Sequence, residues 1–499
     1  YMNSKKINHS RKLKDFSIGD HIIFTRVWGM DAFKEFRQIS GDNNPLHHDE
    51  SYASKTSFGK PIVPLHLATS PLSAIAGMMI PGDNSLYLTN HVRAIEAIPY
   101  GEKITYSAKV VAIIEVRQAL ELRVLLLDKD KVLVEASMVV QVRDDYDSTL
   151  ASLNYNQFNE IYNTPPQTIL VTGALGGIGR SVCRSLAEKG VSILIQHRVG
   201  REKEAENLAE KCRKFNVRVA SIGSELEDQK SIKIMMQKLL KKETITGLIH
   251  LASPAVDASM MENMAVNYQS LVTMLEILTP VWLSHQYGRV IVVGSSAVEY
   301  FPQGWENYVA AKVTASRYIL AWHSRHAQYD IEGRVVSPGY VQTSFSDELR
   351  EDGVDALLPE QVAEVIADSI LEKNGSENPY LWLETSGLRR GSWGFFLKLD
   401  QSRSSANIKK PKPFQDLSND SKESIEFLIR DFFGLGEDVS LEGAGINLLP
   451  GWDSLKHIEL MLFLEKKLGI SFRSDEIEAT KMLSDLKQLI FKKISSTLK

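Results

Sequence analysis

Cysteine is almost missing from this chain of 499 residues, which holds only Cys183 and Cys212. That excludes a disulfide framework and a cysteine metal cluster, so no metal site is expected and a reducing, cytoplasmic setting fits. Long apolar runs are missing too. No stretch reaches the roughly 18 residues that a membrane-spanning helix needs. Residues 1–14 are polar and basic and lack an apolar core, which is not the pattern of a signal peptide. Neither sign of charge dominates: 58 Lys and Arg face 62 Asp and Glu, a net charge of −4. Nothing there points to nucleic acid as a partner. Internal repeats are absent. What is present is an ordinary globular composition, 43% hydrophobic and 24% charged, in a length that suits about three domains of ~150 residues.

The first domain is expected over 13–143. Its second half holds three strand-like runs, Gly101 to Ile114, Arg117 to Leu127 and Val132 to Val142, with Asp128-Lys129-Asp130-Lys131 as a turn. The polar stretch Asp144 to Gln167, ending in Pro165-Pro166, reads as a linker. The second domain is expected over 166–400. There short β-rich runs such as Thr168 to Val171, Ser192 to Ile195, Gly247 to His250 and Arg289 to Val293 alternate with amphipathic helices. That alternation predicts a doubly wound parallel sheet with crossover helices. Gln401 to Pro413 carries Ser, Asn, Lys and Pro without apolar pattern and reads as a mobile linker. The last domain, 414–499, reads as helical throughout. Within it, Gly451-Trp452-Asp453-Ser454-Leu455 places a serine just ahead of an amphipathic helix, Ile458 to Leu468. A serine so placed can carry a long covalent arm, or can cap the helix together with Asp453.

In the middle block, the run Thr172-Gly173-Ala174-Leu175-Gly176-Gly177-Ile178-Gly179-Arg180 follows a strand and opens a helix. Glycines there allow a tight turn and let backbone N–H groups approach a pyrophosphate. Tyr308 and Lys312 are four apart and share a helical face, so the cation is expected to lower the phenol's pKa. Ser295 ends a strand and could hold a substrate oxygen. This block resembles the short-chain dehydrogenase/reductase family, in particular its 3-oxoacyl-carrier-protein reductases, from Thr168 to about Leu371. The resemblance implies a catalytic set of Asn267, Ser295, Tyr308 and Lys312, with Ser296 as fallback. It implies cofactor contacts from Gly173, Gly177, Ile178 and Gly179 and from the loop bearing Pro338, Gly339 and Thr343. Where the family has Asn-Asn-Ala-Gly, this chain has His250-Leu251-Ala252-Ser253, and Leu175-Gly176 replaces a usual Ser-Arg. No Asp follows the second strand; Arg198 and Arg201 lie there instead, which favours NADPH over NADH.

In the first block, Asp42 and His47 flank Pro45 in Ser40-Gly41-Asp42-Asn43-Asn44-Pro45-Leu46-His47. A carboxylate and an imidazole together can divide the acid and base work of adding or removing water. With Phe16-Ser17-Ile18-Gly19-Asp20, Pro61-Ile62-Val63 and Tyr100-Gly101-Glu102, this stretch resembles the MaoC-like (R)-specific enoyl-thioester hydratases, a hot-dog fold. The resemblance implies Asp42 and His47 as catalytic pair and Ser73 as a supporting substrate residue. The family's usual His-Gly after Pro-Ile-Val is Pro64-Leu65 here, so the backbone donor toward the thioester falls on Leu65. Either the domain dehydrates, or it is a non-catalytic hot-dog in a protein that delivers 3-hydroxyacyl groups. The resemblance also implies a homodimer or higher oligomer.

The last block, over about Ser421 to Ser495, resembles acyl carrier proteins through Asp453-Ser454-Leu455, which implies a four-helix-type domain with 4′-phosphopantetheine on Ser454. Taken together, the expected architecture is hot-dog, Rossmann-type parallel sheet and carrier. The expected chemistry is reduction of a 3-oxoacyl thioester to a (3R)-hydroxyacyl thioester and dehydration to the trans-2-enoyl thioester. A separate condensing enzyme and a phosphopantetheinyl transferase would be its partners.

Overall fold

In the computed structural model the described residues are 4–6, 11–143, 160–162, 167–300, 302–345, 356–372, 379–385 and 387–391, together with parts of 428–497. The chain divides into two compact units, Tyr1–Ser404 and Ser405–Lys499. Both expected β-containing domains therefore fall within the first unit.

The hot-dog part wraps an antiparallel sheet around a central helical run. Its strands are β1 (Ser4–Lys6), β2 (His21–Val27), β3 (Ser85–Ala94), β4 (Lys103–Ile114), β5 (Ala119–Asp128), β6 (Lys131–Val142) and β7 (Glu160–Tyr162), in the order β1-β7-β2-β4-β5-β6-β3. The three long strands follow the expected runs closely. Lys129, at φ 55°, makes the turn between β5 and β6. One expectation is corrected here: the stretch read as linker contributes β7, which pairs with β1 and reaches His21. Helix α1 (Met30–Ser40) stops at Gly41, whose φ of 74° only glycine takes up readily. A short helix, α2 (Glu50–Ala53), follows. The central run is built from α3 (Leu65–Thr69), α4 (Pro71–Ala74) and a π turn, Ile75–Met79. Leu67, Ala68, Leu72, Ile75, Ala76 and Met79 bury themselves against Ile104, Tyr106, Leu122, Val124 and Leu126 on the inner face of the sheet.

The second part is a parallel sheet of β8 (Thr168–Thr172), β9 (Ser192–His197), β10 (Val219–Gly223), β11 (Gly247–His250), β12 (Gly288–Val293), β13 (Ile331–Pro338) and β14 (Tyr380–Glu384), closed by the antiparallel β15 (Gly387–Gly391). The order β10-β9-β8-β11-β12-β13-β14-β15 reverses direction between β8 and β11, where a crevice opens beyond the strand ends. Both faces are covered, so the strands run almost entirely buried. The helices are α5 (Gly177–Glu188), α6 (Glu202–Arg213), α7 (Gln229–Leu240), α8 (Met260–Met264), α9 (Ser270–His285), α10 (Ala297–Tyr300), α11 (Glu306–His326) and α12 (Pro359–Leu371).

The two parts share an interface that the sequence reading did not anticipate. Outward-facing Leu125 and Leu127 of the hot-dog sheet join the apolar cluster that contains Trp282, Leu283 and Ile331 of the reductase-like part. Polar groups surround them. Gln286, in left-handed conformation at the end of α9, donates from Nε2 to Ser107 Oγ at 2.9 Å and accepts from Arg123 Nε at 2.6 Å. Lys109 Nζ donates to the Gln286 carbonyl at 2.7 Å and to Asp330 at 2.8 Å, and Arg289 reaches the same carboxylate at 3.0 Å. Burial pulls Lys109 below its ordinary pKa despite that carboxylate. Asp330, which burial alone would raise, is held below its own ordinary value by Lys109 and Arg289. Both shifts are downward, which disfavours the charged lysine and favours the charged carboxylate; Lys109 is the deeper partner, 6% exposed against 37%.

In the second unit, α13 (Leu483–Thr497) is described, and Ile429, Leu460, Met461, Leu464, Leu486 and Ile490 are buried. Trp452, Asp453 and Ser454 lie outside the described residues. No helix among those described is long and apolar enough to cross a membrane.

Candidate active sites

The crevice at the β8–β11 reversal gathers most of the reductase residues expected from the sequence. Gly173 turns the chain at φ 64°, and a Cβ on it would lie 2.8 Å from the Ala252 backbone. A Cβ on Gly179 would fall 2.4 Å from the Gly173 carbonyl oxygen, so only glycine lets α5 pack this tightly on the turn. Gly176 caps α5 with no side-chain hydrogen bond, which leaves the helix N-terminus presenting backbone donors and its partial positive charge. Thr343 closes on the same place, its side chain 2.5 Å from where a Gly177 Cβ would stand, and Ile178 is partly exposed beside it. This is a cradle that suits the pyrophosphate of a dinucleotide.

Behind the cradle, two residues missed in the sequence hold the crevice together. Gln196 accepts from Gly173 N at 3.0 Å and donates to the Ser224 carbonyl at 2.8 Å. His250, fully buried at the end of β11, contacts Thr172 Oγ1 at 2.9 Å and the Val266 carbonyl at 3.1 Å. It thus ties the glycine turn to the helix that carries Asn267, and it is the first residue of the His250-Leu251-Ala252-Ser253 departure. Burial first, and the Lys312 charge second, push it down to about 4, so it is neutral at physiological pH. Arg198 stands past β9, with its guanidinium 3.2 Å from Glu227, and Arg201 is paired with Glu204.

The residues expected to be catalytic lie around β12, α11 and the π turn before α9. Ser295 follows β12 and stands beside Tyr308, which is buried between Trp305 and Phe345. Lys312, one turn along α11, donates to the Val293 carbonyl at 3.0 Å and lies 5.6 Å from the Tyr308 ring centre. Asn267 sits in a π turn, Ala265–Gln269, and donates to the Asn263 carbonyl at 3.1 Å, while its own Oδ1 is buried with no partner among the described residues. Ser296 instead turns its backbone N–H to the Pro338 carbonyl. Pro338 ends β13, and Gly339 donates to the Leu383 carbonyl at 2.7 Å, which anchors the loop running to Thr343. The expected lowering of the tyrosine by its lysine is corrected: burial dominates and pushes Tyr308 up to about 12, while Lys312 itself is drawn down to about 8 by burial.

The hot-dog part brings Asp42 and His47 together. Gly41 releases the chain from α1, and Asp42 Oδ1 accepts from Asn44 N at 3.0 Å. Asn44 in turn caps the turn Pro45–His47. His47 Nδ1 meets the Ile62 carbonyl at 2.8 Å, and Nε2 faces Asp42 Oδ2 at 3.7 Å. A carbonyl can only accept, so Nδ1 carries the proton and Nε2 is left with its lone pair in the neutral ring. Leu65 heads α3, with its side chain half-buried against the core. Ser73, exposed on the helical run, lines a 370 Å³ cavity with Arg26, Ser70 and Gly77.

Comparison with known proteins finds two family matches on this chain. Residues 167–353 match the short chain dehydrogenase family, and residues 18–129 match the MaoC like domain. The chain carries a MaoC-like domain followed by a short-chain dehydrogenase domain. The latter is 25% identical over 222 residues to the 3-oxoacyl-[acyl-carrier-protein] reductase of Thermotoga maritima, covering 40% of this chain and 87% of that protein. It is 28% identical over 222 residues to an NADP-dependent 3-hydroxy acid dehydrogenase of Schizosaccharomyces pombe, covering 40% and 85%. Among solved structures, a 3-oxoacyl (acyl-carrier-protein) reductase of Agrobacterium tumefaciens with NADP bound is similar at 18% identity and a TM-score of 0.41, covering 44% of this chain and 93% of that one.

Proposed function

We propose that the dehydrogenase domain reduces a 3-oxoacyl thioester to the (3R)-hydroxyacyl thioester with NADPH, and that the MaoC-like domain dehydrates the product to the trans-2-enoyl thioester. The observation that carries the reading is buried Tyr308 with Ser295 beside it and Lys312 one turn along the same helix, opening on a crevice that fits a dinucleotide. When bound in this crevice, NADPH would supply a hydride for C3 of the substrate. Burial keeps Tyr308 protonated, so it holds the proton that the C3 oxygen must receive, and Ser295 orients that oxygen. Lys312, cationic below about 8, stabilises the tyrosinate left behind. Arg198 would receive a 2′-phosphate in competition with Glu227, and the NADP dependence named for the fission-yeast relative supports the same preference.

In the second step one member of the Asp42–His47 pair takes a proton from C2 and the other returns one to the departing C3 hydroxyl, so that water leaves. The acyl group is proposed to ride on a phosphopantetheine arm at Ser454, a reading supported by the Asp453-Ser454-Leu455 motif. A condensing enzyme would supply the acyl group, a pantetheinyl transferase the arm, and a homodimer or higher oligomer the assembly.

The test is mass spectrometry of the arm loaded with acetoacetyl and given NADPH. A gain of about 2 Da followed by a loss of about 18 Da is expected, one hydride plus one proton and then one water. Tyr308→Phe should lower reduction about a thousandfold while NADPH still binds; normal turnover in that variant would refute the assignment. The Pro64-Leu65 departure favours a second reading, a non-catalytic hot-dog in a protein that delivers hydroxyacyl groups. An acyl mass that stops at the 2 Da gain, together with no hydration of crotonyl-CoA, would select it.

A further inference from the structure

Tyr100 is not part of the expected dehydratase pair, yet the strand pairing carries it to the same place. Pro99 forms an antiparallel bridge with Ile62, and Val63 N donates to the Ile98 carbonyl at 2.9 Å. Ile62 is the residue whose carbonyl receives His47 Nδ1, and its own N–H bonds the Leu46 carbonyl at 3.3 Å. The antiparallel register sets Tyr100 opposite Pro61, on the side of the bridge away from Leu65. On its other flank, Gly101 N donates to the Trp28 carbonyl at 3.0 Å, so the backbone is held on both sides of the tyrosine. The ring packs against the hot-dog core, and the hydroxyl is buried with no hydrogen-bond partner among the described residues. A buried hydroxyl left unpaired costs on the order of 1–3 kcal/mol, so one fixed beside a reaction centre has a reason to await a ligand atom. Burial, and after it the Asp42 charge, raise the phenol to about 12, which keeps it a proton-bearing donor throughout the working range.

We propose that the Tyr100 hydroxyl donates a hydrogen bond to the oxygen on C3 of the acyl chain, the hydroxyl that departs in dehydration and the water that adds in hydration. This rests on the dehydratase reading. The tyrosine exchanges no proton with substrate: it holds the oxygen while Asp42 and His47 transfer protons, and the net change is one water gained or lost.

Tyr100→Phe removes a single oxygen and is tested in the full chain. Hydration of crotonyl-CoA should fall at least tenfold in kcat, with its KM within about twofold. Binding is read in an Asp42→Asn background, which silences turnover. There, adding Tyr100→Phe should weaken (R)-3-hydroxybutyryl-CoA about fivefold to tenfold and leave crotonyl-CoA unchanged, because only the former carries the C3 oxygen. Reduction of acetoacetyl-CoA by NADPH in the same chain, unchanged, reports an intact fold. Unaltered hydration in Tyr100→Phe alongside loss in Asp42→Asn would overturn the proposal alone, as would equal weakening of both ligands. A wild-type chain that neither hydrates nor binds these thioesters would overturn the dehydratase reading and the proposal with it.

Discussion

One buried lysine, one buried tyrosine and one buried imidazole set how this protein should respond to pH. Lys312, drawn down to about 8, is charged below that pH and neutral above it, whereas Tyr308 keeps its proton to about 12. Reduction should therefore decline as pH rises through about 8, and the decline belongs to the lysine. The pH profile of kcat/KM checks this, and Lys312→Arg, which stays charged, should remove the decline whatever it does to the rate. A profile flat to pH 10 would mean that the lysine keeps its ordinary pKa. His250 acts on stability instead. It is held at about 4 when folded and returns to its ordinary 6.5 when unfolded, so the unfolded chain binds the extra proton between those values. Its contribution is complete above 6.5 and lost as pH falls toward 4, on the order of 3 kcal/mol. Denaturation midpoints for wild type and His250→Asn should converge in acid if this is right. The sequence made Tyr308, Lys312 and Ser295 legible by spacing, but the sign of the tyrosine's shift depends on burial, which spacing does not report.

At the scale of elements, the glycine turn is the most demanding piece. The Cβ of Gly179→Ala would meet backbone at 2.4 and 2.8 Å, and backbone cannot swing aside, so α5 must lift from the turn. The Cβ of Gly177→Ala would meet the Thr343 side chain, whose Cγ2 can rotate away and whose Cβ, at 2.9 Å, needs only a small shift of its loop. NADPH titration should show Gly179→Ala weakening binding more than tenfold, with a stability loss of about 1–3 kcal/mol, and Gly177→Ala doing clearly less. Equal effects would shift the blame from packing to the cofactor contact itself. Strands were easily read wherever alternation ran long, as in β4, β5 and β6. The three-residue β1 and β7 escaped, because partners more than 150 residues apart leave no local period to find. The division of the central helical run into α3, α4 and a π turn also left no sign in the sequence.

The whole molecule turns on the contact between its first two domains, and no motif announced it. Lys109 and Asp330 are 221 positions apart, and each alone would read as an ordinary surface charge. Folding makes them depend on one another. Asp330→Ala would leave Lys109 as a buried cation without its carboxylate and Arg289 with Glu332 alone, at a cost of about 3–5 kcal/mol. Calorimetry should show the melting temperature of both domains falling together in that variant. If only the dehydrogenase domain loosens, the interface does not couple them.

Names drawn from families divide this chain near residue 143, but Leu125 and Leu127 do not respect that division, since they complete an apolar cluster belonging to the dehydrogenase domain. A gene cut there would yield two products, each with a bare greasy face and unpaired charges, prone to stick to themselves or to chaperones. For anyone recombining such modules, the portable part is the pair, not either half.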